Sequence, residues 1–444
     1  MPSRSRDTAV SGEILAQDFK ATPYWLEAAP LSDSEPGEMP PRTDVAIVGA
    51  GYTGLSAAVT LARRGREILV LEAGLPGDGA STKNAGNVTR TLKKSFSELE
   101  HKFGAEKAAA YYREGGNAFE FLRELLVKER IECQDRWDGR FYAAHSPKAY
   151  EALARGTDKM REFVGLETEM VPRAQQGREV GSEKYFGGQL VRGTGLIHAG
   201  LLHRGLLKCA VDAGARIVPR TRVLDVATEG ASFAITTSRG VIQARDVIIA
   251  TNAYTGREGS VFRHFRRRLV PVISYVAATE ELPPERLRRI LPGLRPVLDT
   301  RTILFHIQPS PDHRRILIGG HAGRRYRDLR QIGRHLHAHY SDLIPEFRDV
   351  RISHCWSGIF AFTFDYLPHI GVHDGIHYAL GCCGTGVPMG TYLGNKIALQ
   401  VLGSAEGKTA FDGRGFPTVP LYTGDPWFLP GLVRYYAARD EIMG

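Results

Sequence analysis

The chain has 444 residues, 43% of them hydrophobic and 24% charged, with a formal net charge of +9. That balance belongs to a globular protein of two or three domains with substantial cores. No run of about eighteen apolar residues is present to cross a membrane, and the amino terminus lacks the apolar core of a secretory signal.

The 5 cysteines are scattered, which argues for a reducing compartment and a cytoplasmic location rather than a disulfide framework. Positive charge is densest at Arg263-His264-Phe265-Arg266-Arg267-Arg268 and recurs at Arg286, Arg288 and Arg289. It reads as a solvated face or as an electropositive approach for an acidic substrate. No DNA- or RNA-binding signature accompanies it, so nucleic acid is not an expected partner.

Residues 1–42 are a lead segment rich in Pro, Ser and acidic residues, with Tyr24 and Trp25 as candidate anchors. The first strand, DVAIV at 44–48, runs into GAGYTG, then a helical pattern, TGLSAAVTLARRG, and a second strand, EILVLEA. This is a β–turn–α–β unit of about thirty residues. Gly49, Gly51 and Gly54 stand at the dinucleotide spacing, with Tyr52 and Thr53 between them. The first glycine allows the tight turn, the second lets a pyrophosphate approach the backbone, and the third lets helix pack on sheet. Glu72, followed by Ala73, ends the second strand, where it can accept hydrogen bonds from a ribose diol and repel a 2′-phosphate.

Further along, 98–163 is rich in helix formers, a helix and strand begin near Gly195, and a strand meander closes on VIIAT. Strands and a helix near 328–344 fill 261–354. The stretch IHYALGCCGTGVPMGTYLGNKIALQVLG is then a strand, glycine turn and helix. The expected fold is α/β: a Rossmann-like nucleotide-binding domain, discontinuous over 43–97, 195–260 and 355–403. A mixed-sheet α+β domain of 98–194 and 261–354 is expected to build the substrate pocket. The tail, 404–444, is expected to pack on the nucleotide domain.

GDGASTKNAGNV, residues 77–88, directly follows the second strand, where a nicotinamide enzyme needs no such loop. Together with VIIATNAYTG (247–256), WSGIFAFTFDYLPHIG (356–371) and GCCGTGVPMG (381–390), it resembles the D-amino-acid oxidase family of flavoproteins. The resemblance spans nearly the whole chain from about residue 24. It implies noncovalent FAD, touched by Gly79, Ala80, Ser81, Asn84, Ala85, Gly86, Asn87 and Val88 of the loop. Further implied contacts are Val223, Thr251, Asn252, Tyr254 and Gly358, and Gly384, Thr385, Gly386, Val387 and Pro388 at a helix start.

It also implies oxidation of a small amine or amino-acid derivative at its C–N bond, by hydride transfer to flavin N5 and hydrolysis of the imine. The nearest branch acts on γ-glutamylputrescine-like substrates; sarcosine- and glycine-oxidising members are more distant. Oxygen or an electron-accepting partner takes the electrons, and no membrane is implied. A dehydrogenase of amines or opines and an FAD-binding protein without turnover are the alternatives. Several positions depart from the pattern. Gly384-Thr385-Gly386 replaces a common Gly-His-Gly, and Pro388 stands where sarcosine-oxidising members carry a carboxylate-binding lysine. Leu317 falls at the oxygen-activating lysine, and Gly358 at the flavin-attaching cysteine.

An ammonium has no lone pair to expel a hydride, so the site must favour the neutral amine by desolvation, aromatic walls or a base. Candidate walls are Tyr254, Tyr275 and Trp356, with Phe305, Phe362 and Tyr366. Asp365 is a candidate base or cation partner, and His321 follows a strand near the expected flavin. His335, His337 and His339 suggest a metal, but only His335 and His339 share a helix face and no third ligand accompanies them, so no metal is expected. Cys382 and Cys383 read as small buried residues of a tight loop.

Overall fold

The computed structural model describes residues 13–443, except 34, 36, 257–258, 303, 321–325 and 327. Two large sheets organise it. In the first, Arg42–Val48 is central, and its apolar run is buried on both faces, as befits a strand in a parallel sheet. Ile68–Leu71 and then Arg216–Val218 lie in parallel on one side, and Gly240–Ile249 on the other. The end of Gly240–Ile249 also pairs in parallel with Ile376–Leu380.

Helix Tyr52–Ala62 packs close because residue 54 is glycine: a Cβ there would lie 1.9 Å from the Gly49 carbonyl oxygen. Helix Gly386–Val401 packs on it through Gly394, whose Cβ would meet the Thr53 carbonyl oxygen at 2.2 Å.

The second sheet has nine strands, with Leu269–Thr279 paired along Ile352–Thr363 and against Ile316–Gly320. Side chains alternate across it. Val276, Ala278, Leu317 and Trp356 join the core shared with the parallel unit. Tyr275, Ala277, Ile318 and Cys355 face the other way, into a core with Ile332 and Leu336 of helix Leu329–Leu343.

Three expectations change. The boundary at 355 falls inside the strand Ile352–Thr363, which belongs to the nine-stranded sheet because Leu269–Thr279 is its partner. The lead segment is not separate: Leu15–Lys20 is an edge strand parallel to Ile352–Thr363, and Trp25 is fully buried. The tail reaches beyond the nucleotide unit, since Tyr422 Oη donates to the Leu269 carbonyl at 2.7 Å and Asp440 accepts from the Thr302 N–H at 2.8 Å.

The basic run anchors that tail. Arg266 pairs with Asp425 at 2.7 Å, Arg267 donates to the Tyr422 carbonyl and Arg268 to the Phe416 carbonyl. Arg286 pairs with Asp349, and Arg289 lies 3.6 Å from Glu346. These arginines are therefore engaged within the fold. Among the described residues no helix is long and apolar enough to cross a membrane, and all five cysteines are free and buried.

Candidate active site

The carboxyl ends of the parallel strands meet at one crevice, where open α/β sheets hold their ligands. Gly49 turns there with φ +106°, and a Cβ on it would approach the Ala250 carbonyl oxygen at 3.1 Å. Its N–H donates to the Leu71 carbonyl, while the Ala250 N–H donates to Val48 and the Glu72 N–H to Val218. Asn252, also at positive φ, accepts from the Gly381 N–H at 3.0 Å. Beside it, the Thr251 and Thr255 hydroxyls share a hydrogen bond at 2.7 Å.

Three helices begin at this crevice without a side-chain cap: Tyr52–Ala62 after Gly51, Ala80–Lys83 after Gly79, and Gly386–Val401 after Thr385. By contrast, Ser95, His198 and Asp328 cap their helices elsewhere. Uncapped first turns offer N–H groups and positive dipole ends to anions. Tyr52 N–H is shared with Ser81 Oγ at 3.0 Å, which ties the first two turns together. Glu72 accepts from the Ala50 N–H at 2.9 Å and the Gly74 N–H at 3.0 Å, so its carboxylate is fixed with two acceptor positions to spare. Ala73 is exposed next to it, and Thr221, two residues before Val223, donates its N–H to the Glu72 carbonyl. These donors and spaces would suit a dinucleotide: the first two turns could hold a pyrophosphate, Glu72 a ribose diol, and Gly384, Thr385, Gly386 and Val387 a ring edge. Pro388 is buried in that helix's first turn and carries no charge.

The loop between is held from several sides. Asn84 bonds the Ala80 and Ser81 carbonyls and the Gly86 N–H. Gly86, at φ +74°, passes so close to Ile197 that a Cβ would lie 2.1 Å from its carbonyl oxygen. Val88 is fully buried and pairs with Gly195. Gln308 bonds both the Ala85 carbonyl, at 2.5 Å, and the Asn87 side chain, at 2.6 Å. Trp25 of the lead segment donates to the Asn84 carbonyl at 3.0 Å.

Residues 44–399 match the family described as DAO, FAD dependent oxidoreductase. The chain belongs to that family. Its cofactor is FAD, and it is an FAD-dependent oxidoreductase. It is 29% identical over 406 residues to gamma-glutamylputrescine oxidoreductase of Escherichia coli, covering 90% of this chain and 93% of that one. It is 27% identical over 400 residues to the probable oxidoreductase OrdL of Haemophilus influenzae, covering 86% and 89%. Glycine oxidase from Geobacillus kaustophilus has the same fold, with a TM-score of 0.71 at 23% identity over 86% of this chain and 99% of the other.

Several candidate residues of this DAO-family chain are engaged within the fold. Trp356 is 1% exposed, and its indole N–H donates to the Lys83 carbonyl at 3.1 Å, bracing the loop 77–88. Gly358 serves the same approach, since a Cβ there would lie 3.0 Å from that carbonyl oxygen. Tyr275 points to the far face, where its hydroxyl accepts from the Tyr326 N–H at 2.8 Å. Phe305 also packs on that side and stacks on His339. Tyr254 is 45% exposed, with its ring 3.9 Å from a Cβ on Gly79, the residue before the helix Ala80–Lys83. His321 lies outside the described residues.

Asp365 is engaged on every side. It pairs with Arg414, with His369 Nε2 at 3.1 Å and with the Thr363 hydroxyl at 2.9 Å. Burial would raise its pKa, but the His369 hydrogen bond and the charges of His369 and Arg414 outweigh burial and hold it at about 2. A carboxylate so placed is a poor proton acceptor. Cys382 and Cys383 are thiols, pushed up to about 12 chiefly by burial.

Two of the candidate wall residues, Phe362 and Tyr366, are joined by cations that the sequence reading passed over. Phe362 and Tyr366 pack with their rings tilted and centroids 5.4 Å apart, with Lys93 Nζ 5.7 Å from the Phe362 centroid and Lys94 Nζ 4.8 Å from that of Tyr366. Arg140 and Tyr142 project from the strand Arg140–Ala143, and Arg140 donates to Asn87 at 3.0 Å. Lys93 comes only five positions after Val88 in sequence, a nearness to the loop that could have flagged it.

Proposed function

We propose that this chain oxidises a small amine or amino-acid derivative at its C–N bond, with FAD held noncovalently and the imine product hydrolysed. The observation that carries this reading is an aromatic and cationic wall, Phe362, Tyr366 and Lys93, reached from the same loop that frames the cofactor crevice. When bound, FAD accepts the hydride from the substrate carbon. The protein's part is to hold the amine, exclude water with Phe362 and Tyr366, and disfavour the ammonium form beside Lys93. The named substrates of relatives, γ-glutamylputrescine and glycine, are both amines.

For the electrons, oxygen or an accepting partner remains the choice. Leu317, buried on the cofactor-facing side of its sheet, supplies no charge there, which favours a partner. Peroxide yield per flavin turnover decides between them. We place the protein in the cytoplasm on its free thiols, and propose the division into nucleotide and substrate domains with Ile352–Thr363 moved to the latter.

The test is an anaerobic screen of amines, polyamine conjugates and N-substituted amino acids for flavin bleaching. Absence of bleaching by all of them would overturn the reading. Acid precipitation is expected to leave FAD in the supernatant, because Gly358 offers no side chain for attachment. Flavin in the pellet would show a covalent link.

A further inference from the structure

Ala50 lies between the first two glycines of the dinucleotide turn, and both of its polar backbone atoms are held. Its N–H donates to Glu72 at 2.9 Å, and its carbonyl oxygen lies 2.8 Å from His203 Nε2. A carbonyl only accepts, so Nε2 carries the proton. His203 stands on the helix Ala199–Asp212 and is 3% exposed. Burial lowers its pKa more than the Ala50 hydrogen bond raises it, so the ring is a neutral donor. The same helix takes a second bond from the turn, Tyr52 Oη donating to the Ala199 carbonyl at 3.0 Å. The imidazole fits because residue 77 is glycine: a Cβ there would lie 3.0 Å from His203 Nδ1, and its φ is +95°. His203 is thus wedged between the turn at 49–54 and the start of the loop 77–88.

That bond sets the direction of a neighbouring donor. In a trans peptide the carbonyl and the following N–H point opposite ways, and no cis peptide occurs among the described residues. Holding the Ala50 carbonyl toward His203 therefore turns the Gly51 N–H away from the helix Ala199–Asp212. The Gly51 carbonyl accepts from the Leu55 N–H, and the Tyr52 N–H goes to Ser81 Oγ, whereas the Gly51 N–H has no partner among the described residues. Glycine at 51 lets this peptide rotate at little steric cost, so its orientation depends on what grips the carbonyl. We propose that His203 is a positioning residue for FAD: its Nε2–H fixes the Ala50–Gly51 peptide so that the Gly51 N–H is presented to the pyrophosphate. This rests on the pyrophosphate lying at this turn, which Gly51→Val tests separately.

Two variants of the holoprotein test it. His203→Gln keeps an N–H donor near the Nε2 position, and His203→Leu removes the donor while filling the space. Equilibrium dialysis should give His203→Gln an FAD affinity near wild type and His203→Leu one roughly ten- to a hundredfold weaker, as expected when a buried acceptor loses its donor. Phosphorus NMR of the bound FAD should show a shifted pyrophosphate resonance in His203→Leu and wild-type resonances in His203→Gln. If His203→Leu does not fold, His203→Asn, whose amide falls short of Ala50, takes its place with the same expected loss. Native affinity and native phosphorus resonances in the variant without the donor would overturn the proposal. An equal loss in His203→Gln and His203→Leu would overturn it too, by assigning the effect to the shape of the ring.

Discussion

Gly51→Val is expected to give a folded protein that does not retain FAD. The backbone at Gly51 is extended, with φ −82° and ψ −175°, so valine is not strained there as it would be at Gly49 or Gly86. A Cβ would come 3.0 Å from Ser81 Oγ, the atom that ties the two uncapped first turns together. The two valine methyls then occupy the space in front of the N–H groups that address the pyrophosphate. Overpacking of this kind costs about 1–3 kcal/mol, roughly ten- to a hundredfold in affinity, and displaced N–H contacts add to it. The measurement is the flavin-to-protein ratio after gel filtration, with circular dichroism reporting the fold. A folded variant carrying its full complement of FAD would place the cofactor elsewhere. Gly86→Val differs in kind, because its Cβ would strike the Ile197 backbone and the loop itself would be lost.

The cofactor half of the molecule was legible because its signals are local. A buried apolar strand, three glycines, an amphipathic helix and an acidic strand end all lie within about thirty residues, and each step has its own stereochemical cause. The substrate half was less legible because its partners are distant. The strand Ile352–Thr363 reads as a strand, but only its pairing with Leu269–Thr279 says which sheet holds it.

That same register decides which aromatic faces which side. Trp356 opposes Val276 and shares its face, whereas Tyr275 and Cys355 take the other. Alternation is visible in a sequence, while its absolute direction depends on the register. The arginine run at 263–268 shows the same limit: its density is visible in the sequence, but not the tail carbonyls and Asp425 that engage it.

Asp365→Asn is expected to destabilise the fold strongly while leaving amine oxidation to the folded fraction. The carboxylate serves three groups at once: the Arg414 guanidinium of the tail, the His369 ring and the Thr363 hydroxyl. Thr363 in turn bonds the Leu367 carbonyl and contacts Cys383 Sγ at 3.4 Å, so the hub ties the turn after Ile352–Thr363 to the glycine loop at 381–386. Asparagine keeps the shape but leaves Arg414 without its counter-ion, and loss of one partner from a buried pair costs about 3–5 kcal/mol.

The native carboxylate also sets an acid limit. Its pKa is about 2 in the folded chain and roughly 3.9 when unfolded. The stabilisation is therefore complete above the unfolded value and is lost as pH falls from about 4 toward 2. The variant should lack that part of the acid transition, being already destabilised at neutral pH. Melting curves of wild type and variant between pH 2 and 7, with single-turnover flavin reduction on the folded protein, read both effects. A variant with native melting temperature and a collapsed reduction rate would restore Asp365 as the proton acceptor and remove it from the hub.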